Sequence, residues 1–78
     1  MLTMVDYKGR VGARIRRRRV ELGYSQHELA LRTGVVTITG SQVSRWERGE
    51  AMPSPSNLEA IAGALDVPAE HFFQSDDA

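Results

Sequence analysis

Between positions 40 and 48 the chain reads Gly-Ser-Gln-Val-Ser-Arg-Trp-Glu-Arg. On a helix turning about 100° per residue, Ser44, Arg45 and Arg48 fall within about 60° of Ser41, and Val43, Trp46 and Glu47 fall opposite. Such a helix can pack one face and present hydroxyls and guanidinium groups on the other. Arginine can donate two hydrogen bonds to guanine O6 and N7, and serine can serve either a base or a phosphate. Ser41, Ser44 and Arg45 are therefore candidate base contacts. Gln42, on the flank, can do either job, and Arg48 is a candidate phosphate contact. The same residues also fit a plainer reading: surface polarity for the serines, and for Arg45 a salt bridge to a nearby acid. Gly40 can only allow close approach.

Charge supports a polyanionic partner. The net charge of the 78 residues is zero, yet all ten Lys and Arg residues lie between Lys8 and Arg48. Four acids share residues 1–48, for a net of +6, and the remaining thirty residues hold six acids and no base, for −6. Asymmetry of this kind suggests nucleic acid for the first half, although a solvated charged surface fits the composition equally well. Other chemistries find little support. There is no cysteine, and His27 and His71 have no ligand spacing around them, so no metal site is expected. No Ser/His/Asp set, paired carboxylates or phosphate loop is apparent, so the chain is not expected to be an enzyme. No apolar run approaches the roughly 20 residues of a membrane span. The N-terminal MLTMVDYKGR lacks the apolar stretch of a signal peptide, so a cytoplasmic protein is expected.

The elements that must position these residues read as short helices. Val11, Ile15 and Leu22 keep helical spacing, and Gly23 follows the last of them. The run Arg16–Arg19 lies on this helix and cannot all face one side. Ser25 and Glu28 have the capping-box pattern for a second helix, ended by Thr33-Gly34. The β-branched stretch from Val35 to Thr39 reads as a connection. Thr39 or Ser41 can cap a third helix to about Arg48, terminated by Gly49. Ser54-Pro55 opens a fourth helix, with Leu58, Ile61, Ala62 and Leu65 on one face. After Asp66-Val67-Pro68, Ala69 to Phe73 makes a last short turn. The expected class is all-α, with five helices in one compact domain over 9–73 and tails at 1–8 and 74–78.

The segments Ser25-Gln26-x-x-Leu29-Ala30, Gly34-Val35 and Val43-Ser44-Arg45-Trp46-Glu47-Arg48-Gly49 together resemble the helix-turn-helix of the phage-repressor and Cro-like (XRE-type) family. The flanking first and last helices are similar too, so the resemblance covers about residues 10–73. The connection from Val35 to Gly40 is longer than the family usually has. The resemblance implies a lambda-repressor-like fold and a sequence-specific, double-stranded DNA-binding transcriptional regulator, a repressor or autoregulator. It further implies that Gln26 reaches the DNA backbone and that Arg19 pairs with Glu47. Arg16, like Arg48, is a candidate phosphate contact from its charge, with a solvated side chain as the plainer reading. The neighbouring Arg14, Arg17 and Arg18 are read as solvated side chains adding general attraction. Family members commonly bind as homodimers on two-fold symmetric operators. With the second and third helices reserved for DNA, Phe72 and Phe73 become candidates for the dimer interface, although simple core packing explains them equally well. Trp46 is read as core. An antitoxin-type protein-binding module is the alternative function. No cofactor and no small-molecule ligand are expected.

Overall fold

A computed structural model of the chain describes residues 6–74. The first helix, α1 (Tyr7–Leu22), starts where the Asp6 carboxylate accepts a hydrogen bond of 2.9 Å from the Gly9 amide. Tyr7 and Lys8, expected in the N-terminal tail, are therefore helical. The helix ends at Gly23, whose φ of 79° lets the Tyr24 amide reach back to the Arg19 carbonyl at 3.1 Å. Ser25 caps α2 (Gln26–Arg32) by accepting from the Glu28 amide. Only half of the expected capping box forms, because the Glu28 carboxylate instead accepts from Arg32, four residues on, at 3.0 and 3.1 Å.

Thr39, and not Ser41, caps α3 (Gly40–Glu47). Here the box is complete: the Gln42 amide donates to the Thr39 hydroxyl at 3.2 Å, and the Thr39 amide to Gln42 Oε1 at 3.1 Å. Ser54 and a proline in the first turn open α4 (Pro55–Leu65), which closes on Asp66 at a φ of 60°.

The segment Ala69–Phe73 is a 3₁₀ helix, so the fold has four α-helices among the described residues and not five. Five residues between Pro68 and Gln74 leave room for little beyond i→i+3 hydrogen bonds, as from the His71 amide to the Pro68 carbonyl. No strand occurs among the described residues. Residues 1–5 and 75–78, which include the acidic pair Asp76 and Asp77, lie outside the described residues.

Every element contributes to one core. Val11 and Ile15 of α1 meet Leu29 and Ala30 of α2, Val43 and Trp46 of α3, Leu58, Ile61, Ala62 and Leu65 of α4, and Phe72. Ile38 adds the connection before α3 to this cluster. Of the two readings of the aromatic pair, Phe72 takes the core-packing one, being fully buried; Phe73 is 42% exposed, edge-on to Tyr7. Consecutive residues of a 3₁₀ turn point about 120° apart, so only one of the pair can face the core.

Candidate nucleic-acid interface

Two contacts fix α3. At its start, Gly40 lies so close to α2 that a Cβ there would sit 3.2 Å from the His27 Cα. At its end, Gly12 of α1 passes beneath the last turn, where a Cβ would run into the Trp46 carbonyl oxygen. Close backbone approach at both ends, with Val43 and Trp46 buried between, leaves the opposite face outward.

The ion pair between Arg19 and Glu47 clamps α1 to α3. Arg19 Nε and Nη2 both donate to the carboxylate, the second at 2.9 Å, and Nη1 donates to the Tyr24 carbonyl at 2.7 Å. The side chains are 13% and 4% exposed. The hydrogen bond from Arg19 to Glu47 raises the guanidinium's already high pKa, against the opposing effect of burial. The Gln26 amide also donates to Glu47, at 3.0 Å, so the same carboxylate orients the first residue of α2. An amide nitrogen has two N–H groups, and Gln26 keeps one for another acceptor.

On the outward face Ser41 and Arg45 are exposed and Ser44 is half-buried. Gln42 is half-buried, with its Oε1 in the capping box, so its amide N–H groups are what it can offer a nucleic acid. Arg48 donates to Ser44 Oγ at 2.7 Å and forks onto the Glu50 carboxylate at 2.7 and 3.2 Å. Arg45 Nε lies 3.8 Å from the same carboxylate. Hydrogen bonding with Arg48 holds the Glu50 carboxyl below its ordinary value and raises Arg48.

The structure thus brings Ser41, Gln42, Ser44, Arg45 and Arg48 together on α3, with Gln26 joined through Glu47. Arg16 stands apart: it is exposed on α1, one turn before Arg19, beside Ala13, Arg17 and Val20. Two neighbours expected as solvated side chains are committed elsewhere. Arg14 is buried at 8% exposure, and Arg18 donates to the Leu65 carbonyl at 2.9 Å. Sequence reasoning missed Glu50 in this site. Its signal was the glycine before it, which folds the chain back onto the last turn of α3. Among the described residues no group of three or more His, Cys, Asp or Glu could hold a metal ion, and no helix is long and apolar enough to cross a membrane.

The Helix-turn-helix family model matches residues 15–72. An uncharacterized transcriptional regulator in the ATPase CF(0) region of Rhodospirillum rubrum is 44% identical over 63 residues, covering 81% of this chain and 56% of the relative. Repressor protein C2 of Salmonella phage P22 is 35% identical over 66 residues, covering 85% of this chain and 29% of that protein. The chain thus spans about half, or less, of the length of these curated relatives. A crystal structure of the hypothetical transcription factor NHTF from Neisseria superposes with a TM-score of 0.82 at 28% identity, covering 99% of this chain and 87% of that one. With this match and the helix pair α2–α3 in place, the chain belongs to the XRE-type helix-turn-helix family.

Proposed function

We propose that the chain is a sequence-specific double-stranded DNA-binding transcriptional regulator, a repressor or autoregulator, that reads the major groove with α3. One observation carries the reading: α3 buries Val43 and Trp46 while its other face carries Ser41, Ser44, Arg45 and Arg48. Ser41, Gln42, Ser44 and Arg45 take the base edges. Gln26, Arg48 and Arg16 take phosphates, which fix register without carrying sequence information. The relatives' names, a repressor among them, support the same reading. Such a regulator works with the DNA, in the cytoplasm, and performs no catalysis.

One α3 touches few base pairs, so two copies on a two-fold symmetric operator suit the task, with half-sites about 34 Å apart. Phe73, half-exposed beside Tyr7, Met52 and Pro55, supports a contact through this apolar end of the molecule. Salt dependence tests the DNA reading. If about six phosphates are neutralised, log affinity for duplex DNA falls against log salt with a slope near −5. Fluorescence anisotropy with a labelled duplex measures it. No binding at low salt would overturn the reading in favour of a protein-binding module.

A further inference from the structure

We propose that Glu50 attenuates the affinity of this interface for DNA, its carboxylate competing with DNA phosphate for Arg48. This role rests on the DNA-binding reading above. It begins with Gly49, whose φ of 75° ends α3 in a left-handed turn. The Gly49 amide reaches the Trp46 carbonyl at 3.1 Å and the Glu50 amide the Arg45 carbonyl at 3.0 Å, which brings residue 50 back beside the last turn. From there the carboxylate meets the Nε and Nη2 edge of Arg48, while Ser44 takes Nη1. Arg45 Nε lies 3.8 Å from the same carboxylate.

The molecule's other acid on α3 shows the contrast. Glu47 is almost wholly buried with Arg19 and is part of the framework. Glu50 and Arg48 are 49% and 57% exposed, and exposed pairs of this kind are weak enough to open. A phosphate approaching Arg48 must displace a carboxylate and then stay near it. That penalty is the same on every sequence, because every sequence has the same phosphates. Glu50 therefore lowers affinity for specific and non-specific duplexes by about the same factor.

The test compares wild type with Glu50→Gln, which keeps the shape and an oxygen acceptor for Arg48 but removes the charge. Asp66→Asn, which removes one charge at the end of α4 and tolerates the same left-handed turn, controls for net charge. Each protein is titrated by anisotropy against a random-sequence duplex and against a duplex selected with wild type, over a range of salt. Glu50→Gln should bind the random duplex several-fold more tightly than either other protein, with a salt slope steeper by up to about one. Its affinity for the selected duplex should rise by a similar factor. No gain on either duplex, or a gain equalled by Asp66→Asn, overturns the role. Wild type failing to bind any duplex removes the reading beneath it, a different result from wild type binding and Glu50→Gln matching it.

Discussion

Glu47 concentrates several duties in one carboxylate. It accepts two hydrogen bonds from Arg19 and one from Gln26, and it is only 4% exposed. Removing one partner of a buried pair leaves the other charge without compensation. Glu47→Ala is therefore expected to destabilise the fold by about 3–5 kcal/mol. Chemical denaturation measures it, and a midpoint equal to wild type would make Glu47 a surface residue. The pair was legible only through the family resemblance, because four consecutive arginines do not themselves say which one turns inward. Arg19 does so because it lies on the side of α1 shared with Gly12, the side that meets the end of α3. Glu50 was signalled only by the glycine before it, since its place in the site depends on the turn at Gly49 and on the reach of two neighbouring arginines.

At the scale of elements, two glycines should respond in opposite directions to the same change. Gly12 is buried where α1 crosses α3, and an added methyl would meet the Trp46 backbone. Gly12→Ala must push the helices apart and is expected to cost about 1–3 kcal/mol. Gly63 is exposed within α4 with open space around it, so Gly63→Ala should stabilise by about 0.5–1 kcal/mol through helix propensity. Urea midpoints of the two variants check the sign of each. Helix boundaries were mostly readable because they are written in local chemistry: Gly23, Ser25, Thr39 and Ser54 each cap by bonds to residues three or four away. The start of α1 at Asp6 and the unformed half of the box at Glu28 were not. In the second case a cation at Arg32 competed successfully for the carboxylate. Phe72 and Phe73 show the same limit: alternation says one is inside, and only docking of the 3₁₀ turn against α1 and α4 says which.

At the scale of the whole molecule, the basic excess of residues 1–48 belongs to α1, α2 and α3 with their caps, and the acids after Gly49, Glu50 apart, to α4 and the C-terminal end. On the DNA-binding reading, this uneven charge would draw α1, α2 and α3 toward phosphate before any contact forms. Contact is then a matter of which bases α3 prefers. Selection from random duplex DNA, with wild type and Arg45→Ala in parallel, tests that claim most directly. Wild type should enrich one two-fold symmetric site, and Arg45→Ala should lose preference at one base pair of each half-site, worth about 1–3 kcal/mol, while keeping the rest. No enriched sequence, or the same sequence from both proteins, would contradict a recognition helix that reads DNA through Arg45.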